Sequence, residues 1–302
     1  MQITNNHNVP ENIFLAIREV QGEYTKADAD FSISGLLDSP RIQVLRSRHF
    51  PGITEDITDG FKAWIGSVMH KHLSEKDAKR DGLLSSGHMF VTIQGKKIKG
   101  ESDLYNENDH SVTDYKFTSV YALIYESRDD KFEEQLNGYA MLFRDLGLEV
   151  KSLKIVYFLT DWSKRKASRE ENYPKSPIVV KEFRLWTQEE CEQFYSEKIY
   201  IHSTSQDLDD DQLPECTDEE KWQSETSYAV MKEGNKKATK NFSTESEANS
   251  FIEEKVKEGL TDKKKAKDKY YVQVRPGEAI RCNMYCPVKE FCNVYQKNKP
   301  TV

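Results

Sequence analysis

Several kinds of function are excluded by what this chain does not contain. No apolar run approaches the ~20 residues needed to cross a bilayer, so a membrane-spanning role is not expected. The opening stretch Met1-Gln2-Ile3-Thr4-Asn5-Asn6 has neither the basic nor the apolar region of a secretory leader, which makes a cytoplasmic protein the expectation. There is no surplus of positive charge. A formal net charge of -7 argues against a uniformly basic, DNA-coating surface and leaves phosphate affinity to local patches. No helicase motif is present, so ATP-driven unwinding would have to come from a partner. Cysteine is scarce and late: Cys191, Cys216, Cys282, Cys286 and Cys292 are the whole set. In a reducing compartment, three of them crowded near the C-terminus suggest metal or cluster binding rather than disulfides.

What remains suits a globular protein. With 302 residues, 37% of them hydrophobic and 31% charged, there is room for one large domain or a domain with a smaller appendage. Basic residues gather in Arg41, Arg46, Arg48 and His49, in Lys164-Arg165-Lys166 and in Lys263-Lys264-Lys265; each group is either a phosphate patch or a solvated face. Arg41 in particular would either contact a phosphate or pair with an acid of the core. The acidic Asp207-Leu208-Asp209-Asp210-Asp211 reads as a linker.

Chemistry is densest over residues 100–116, G-E-S-D-L-Y-N-E-N-D-H-S-V-T-D-Y-K. Two β-prone runs, 97–105 and 111–117, flank the polar Asn106-Glu107-Asn108-Asp109, so a hairpin is expected. Asp114 and Lys116 stand two apart and share a face, with Asp103 on the partner strand beside them. Hard divalent cations take such carboxylate oxygens, an activated water cleaves phosphodiesters, and a nearby lysine orients that water or offsets developing charge. The plainer alternative is an exposed hairpin whose Asp and Lys pair, worth under about 1 kcal/mol.

A helical Gly66-x-x-x-His70 precedes these strands, and Gln135-x-x-x-Tyr139 follows them with both side chains on one helix face. Taken alone, His70 beside the apolar face of Phe61, Trp64, Ile65, Val68, Met69 and Leu73 is as readily structural as functional, and Gln135 and Tyr139 could be plain helix surface. Together with Gly100-x-x-Asp103 and Asp114-Tyr115-Lys116, in this order and spacing, they resemble the RecB-type branch of the PD-(D/E)XK nucleases. The resemblance implies a restriction-endonuclease-like α/β core, a central mixed sheet flanked by helices. It implies Mg²⁺ or Mn²⁺ held by His70, Asp103, Asp114 and the Tyr115 carbonyl. It also implies that Lys116 positions or polarises the attacking water while Gln135 and Tyr139 seat the substrate.

The segment Phe31-Ser32-Ile33-Ser34-Gly35-Leu36-Leu37-Asp38-Ser39-Pro40-Arg41-Ile42 resembles the leading segment of the same family. Ser39 stands where many iron-sulfur members carry a cysteine. The tail Arg281-Cys282-Asn283-Met284-Tyr285-Cys286-Pro287-Val288-Lys289-Glu290-Phe291-Cys292 resembles the C-terminal cysteine triplet of those members, CRISPR-associated exonucleases among them, with one extra residue between Cys282 and Cys286. The implied cofactor is a 4Fe-4S cluster on Cys216, Cys282, Cys286 and Cys292. A structural Zn²⁺ and simple reduced thiols are the alternatives, since thiolates suit either metal. Cys191 reads as packing.

Elsewhere the periodicity predicts a helix after Pro10 with a stripe of Ile13, Phe14, Ile17 and Val20, a helix over 59–73, a strand over 89–94 and a helix over 131–146 closed by Gly147. A dense apolar strand buried on both sides is expected over 151–160 and a further strand over 178–186. Trp162, beside Lys164-Arg165-Lys166, either stacks on a base of single-stranded DNA or packs at a strand end. Thr187-x-x-Glu190 opens a helix, and a ββαβ insertion is expected over about 225–275. The expected division is a nuclease core over 1–205 and a C-terminal region over 206–302 carrying the insertion and the cysteine-bound tail. The expected function is a metal-dependent deoxyribonuclease, an exonuclease on single strands or duplex ends, working with a helicase or recombination partner in a bacterial or phage-infected cell. The alternatives are a catalytically silent DNA-binding or scaffold subunit and a redox iron-sulfur protein.

Overall fold

The structure, a computed structural model, describes residues 1–21, 28–85, 87–261 and 269–299. The basic run Lys263-Lys264-Lys265 lies outside them. The chain divides into two compact units, Met1–Pro214 and Glu215–Val302.

In chain order the first unit contains β1 (Gln2–Thr4), α1 (Glu11–Gln21), β2 (Phe31–Ser32), α2 (Ile33–Leu36), α3 (Pro40–His49), β3 (Thr54–Asp56), α4 (Phe61–Asp77), β4 (Leu83–Ser85), β5 (Met89–Ile93) and β6 (Lys96–Gly100). It continues with β7 (Leu104–Asn106), β8 (Ser111–Thr118), α5 (Val120–Ile124), α6 (Asp129–Asp145), β9 (Ser152–Leu159), α7 (Lys164–Ala167), β10 (Ile178–Phe183) and α8 (Gln188–Ser205). The main sheet is five-stranded and mixed, in the order β10-β9-β8-β7-β4, with β8 parallel to β9 and the other neighbours antiparallel. A parallel pair needs a crossover, which α5 and α6 supply. α6 buries Leu136, Ala140 and Leu142 in the same core as Val112 of β8 and Leu153, Ile155 and Tyr157 of β9.

Burial along β9 alternates strictly, so one face is sealed and the other only half covered. The apolar run had suggested a strand covered on both sides. That position belongs instead to β8, buried at every residue from Ser111 to Tyr115. Its polar content, Ser111, Thr113 and Asp114, conceals a central strand from a reading based on hydrophobicity alone.

The expected hairpin is divided between two sheets. β6 pairs with β5 and β2 in a separate three-stranded sheet. The chain then bends over 101–103, and β7 joins β8 with Leu104 opposite Thr113. Gly100 marks the change: a Cβ there would stand 2.5 Å from Leu142 Cδ1 and 3.2 Å from Tyr139 Cδ1, so only glycine lets α6 close on the strand end.

Two basic and acidic segments take unexpected places. Arg41 is 2% exposed; its Nε donates to the Pro214 carbonyl at 3.0 Å and its Nη2 to the Leu213 carbonyl. It is therefore not a surface phosphate contact, and these main-chain bonds anchor it in the core. Arg48 Nη1 lies 2.7 Å from Asp210 Oδ1 and His49 Nε2 2.5 Å from Asp210 Oδ2. The acidic segment is thus docked on α3 rather than free, and it belongs to the first unit, which runs to Pro214. α4 also departs from expectation: Phe61, Ile65 and Val68 are exposed, while Asp77 is buried at its end.

The second unit contains α9 (Asp218–Lys221), β11 (Ser227–Lys232), β12 (Lys240–Phe242), α10 (Glu245–Thr261), β13 (Tyr270–Arg275) and α11 (Asn293–Asn298). Its antiparallel sheet has the order β12-β11-β13, and α10 meets it through Phe251 against Phe242 at a ring separation of 5.3 Å. Thr244 accepts from the Glu247 amide at the start of α10, as its spacing predicts.

Replacing Arg41 by methionine keeps the bulk but strands the buried Leu213 carbonyl and frees the part-buried Pro214 carbonyl, so we expect a loss of about 1–3 kcal/mol in urea unfolding. The exposed Arg46→Ala should change stability by no more than about 0.5 kcal/mol in the same measurement. Equal effects would show that the guanidinium does not staple α3 to residues 213–214.

Candidate active site

The polar residues of β8 and its neighbours meet on one side of the sheet. Asp114 and Lys116 share a face of the strand, and Lys116 Nζ stands 2.6 Å from Asp114 Oδ2. Apart from this ion pair, that carboxylate oxygen has no hydrogen-bond partner among the described residues. Lys116 Nζ donates to Gln135 Oε1 at 3.0 Å, and Gln135 Nε2 donates to the Tyr139 hydroxyl at 2.7 Å. Both residues project from α6 one turn apart, as their spacing predicts.

Asp103 closes the group from the bend before β7. The β7–β8 register, continued by one residue, sets it opposite Asp114. Its Oδ2 accepts from the Tyr115 backbone amide at 2.6 Å, and its Oδ1 lies 2.5 Å from His70 Nδ1 on α4. Asp103, Asp114, Lys116, Gln135, Tyr139 and His70 therefore form one connected set. Gly66 of the same helix has no neighbour within 4 Å of a built Cβ, so no packing requirement explains it.

The electrostatics follow from burial. Asp114 is 4% exposed, and its carboxyl is pushed above the usual range by burial first; the Lys116 ammonium opposes this and the neighbouring Asp103 adds to it. Burial draws the His70 imidazole down, but the Asp103 carboxylate outweighs it and leaves the net shift upward. Burial, helped by Asp114, raises the Tyr139 phenol far above its ordinary value. Tyr139 is thus a neutral hydrogen-bonding group at neutral pH.

Two acids that repel one another, one of them with a buried oxygen met only by the Lys116 ammonium, form a donor set suited to a hard divalent cation. As the side chains lie, no group of three or more His, Cys, Asp or Glu among the described residues is a ready-made cage. His70 is turned onto Asp103, and Lys116 onto Asp114. The fit therefore rests on the carboxylates and on oxygen chemistry.

A residue missed in the sequence supports this group from behind. Tyr115 points away from Asp114, and its hydroxyl donates to Asp77 Oδ2 at 3.0 Å in a buried contact. Asp77 lies about two turns beyond His70 on α4. That spacing was the available signal, since it puts both on the helix face turned toward β8. Trp162 takes the packing role: its Nε1 donates to the Pro174 carbonyl at 2.8 Å. Cys191 is fully buried, its thiol raised to about 11 by burial. Ser39 is buried at the start of α3.

In the second unit none of the cysteines is in a disulfide. Cys216 directly precedes the capping box that opens α9, and Cys282 lies in the π-type turn Arg281–Tyr285. Burial raises the Cys286 thiol to about 11, with Cys282 and Cys216 near enough to contribute, and burial with Cys292 raises Cys282. Among the described residues these thiols do not form a ready-made metal cage as the side chains lie.

No family model matches the chain, and no curated protein matches it. Among solved structures, one titled "Crystal structure of SSO0001" is similar at 16% identity with a TM-score of 0.42, covering 64% of this chain and 86% of that one. This is a weak likeness.

Tyr115→Phe strands the buried Asp77 carboxylate and should cost about 1–3 kcal/mol in unfolding free energy. Combining it with Asp77→Ala should cost clearly less than the sum of the two single changes, a coupling above about 0.5 kcal/mol in a double-mutant cycle. Additive losses would mean that the contact does not tie α4 to β8.

Proposed function

We propose that the chain is a Mg²⁺- or Mn²⁺-dependent deoxyribonuclease with a restriction-endonuclease-like core, acting as an exonuclease. The observation that carries this reading is the joined set Asp103–Asp114–Lys116–Gln135–Tyr139, in which two neighbouring carboxylates, one of them buried, stand beside a lysine that another residue aims. A divalent cation on Asp103, Asp114 and the Tyr115 carbonyl, with His70 alongside, would supply Lewis acidity and offset phosphate charge. The residues around it have separable tasks. Gln135 holds the Lys116 ammonium, and Tyr139 in turn holds Gln135. Lys116 then orients a water or donates toward a phosphoryl oxygen as negative charge grows. In hydrolysis the water oxygen forms a bond to phosphorus, the bridging P–O bond breaks, and the departing alkoxide takes up a proton.

For the tail we propose a 4Fe-4S cluster on Cys216, Cys282, Cys286 and Cys292, with Zn²⁺ as the alternative. Either would tie the final segment to the start of α9 and carry no redox duty. A second reading, a silent DNA-binding or scaffold subunit, draws on one observation: His70 and Lys116 already neutralise Asp103 and Asp114 without a cation.

Asp114→Asn should cut Mn²⁺-dependent cleavage of labelled single- and double-stranded DNA by at least about 100-fold while leaving the fold intact by circular dichroism. Cleavage equal to wild type would dismiss the site. Separately, the purified protein should be coloured and contain iron, and Cys216→Ser should lower its metal content; zinc without iron would select the alternative, and no metal would refute both.

A further inference from the structure

The carboxyl ends of the parallel strands carry a surface that the site does not use. Thr118 of β8 and Leu159 of β9 are in register, so α5 and α7 start from the same edge of the sheet, just past Lys116. The two connections are bound together: the Thr160 amide donates to the Thr118 carbonyl at 2.9 Å, and the Val120 amide to Asp161 Oδ1 at 2.7 Å. Tyr121 and Tyr125 project from α5 and its end, stacked with 6.1 Å between centroids and 16° between planes.

Both rings are open to solvent. Tyr125 is 72% exposed and Tyr121 47%. Cations border them. Lys166 Nζ donates to the Tyr121 hydroxyl at 3.1 Å and lies 5.5 Å from the ring centroid, while Lys164 and Arg165 are exposed on the same short helix. The nearest acid in the loop, Glu126, is drawn off by Lys181. Glu126 also holds a left-handed backbone, φ 49°, immediately after Tyr125. A non-glycine residue keeps that conformation only at a cost, and the Lys181 contact helps hold the turn that displays Tyr125.

Flat rings in water, beside a short row of cations, match the two faces of an unpaired nucleotide strand: a base that stacks and a phosphate that pairs. A duplex end hides its bases in the helix and has less to offer the rings. We propose that the Tyr121–Tyr125 ledge, with Lys164, Arg165 and Lys166, binds single-stranded nucleic acid and feeds it to the candidate site. The binding stands on the ledge alone, whereas the feeding rests on the nuclease reading above. The substrate class then becomes a single strand, or a duplex end with an unpaired tail long enough to reach the rings.

The test is fluorescence anisotropy with labelled oligo-dT and, separately, a blunt hairpin duplex, both in Ca²⁺ so that binding is read without turnover. Tyr125→Ala should weaken oligo-dT binding about 5- to 100-fold, the range of one lost stacking contact, and change duplex binding by less than about twofold. Tyr125→Trp should restore binding, which loss of a folding contact would not allow. Arg165→Ala should lower the salt slope of oligo-dT binding by about one unit. Unchanged oligo-dT affinity in Tyr125→Ala, or equal losses on both probes, would overturn the ledge. Oligo-dT binding is read without turnover, so the Tyr125→Ala result judges the ledge whatever the cleavage result of Asp114→Asn says about the nuclease reading.

Discussion

A carboxylate on the central strand of a sheet is costly to bury, and much of the first unit is arranged around that cost. Asp114 lies on β8 with neighbours on both sides, where water cannot reach it and a second acid, Asp103, stands opposite. Full ionisation of both in isolation would be penalised by desolvation and by repulsion. The ammonium of Lys116, the amide of Tyr115 and the imidazole of His70 are the groups that relieve it. Each is held by something further out: Lys116 by Gln135 and Tyr139, Tyr115 by Asp77, His70 by the same helix that carries Asp77. Removing any of these outer contacts acts on the pair of acids through its neighbour.

The same constraint explains why part of the site could be read from sequence and part could not. Strand alternation put Asp114 and Lys116 on one face, and helical spacing put Gln135 and Tyr139 on another; these are local rules, and the coordinates obey them. The break at 101–103 obeys no local rule. It follows from α6 packing on Gly100, a contact between residues remote in sequence. Arg41 is ambiguous in sequence for a similar reason, because partners such as the main-chain carbonyls of Leu213 and Pro214 carry no side-chain signature. The acidic segment was read by composition as a linker, yet composition does not register that Arg48 and His49 await Asp210. Asp77 left a trace in its spacing from His70, legible only once the partner tyrosine was known.

The exposed side of the molecule is equally uneven. α4 keeps Phe61, Ile65 and Val68 in water although its pattern promised a buried face, and α5 leaves two tyrosines uncovered. At α5, cations and a fixed turn accompany the rings and point to a ligand; nothing comparable stands beside the α4 residues in the contacts described. Function in this chain would thus be divided between a buried, self-neutralised cluster for chemistry and an exposed rim for holding a strand.

Whether the buried acids take up a cation is best asked by diffraction from crystals soaked in Mn²⁺, with data collected for anomalous scattering. The account predicts a strong anomalous peak between the Asp103 and Asp114 carboxylates, with Lys116 displaced from Asp114 Oδ2. A map in which the ion avoids this position, with the Lys116–Asp114 and His70–Asp103 contacts intact at saturating Mn²⁺, would contradict it.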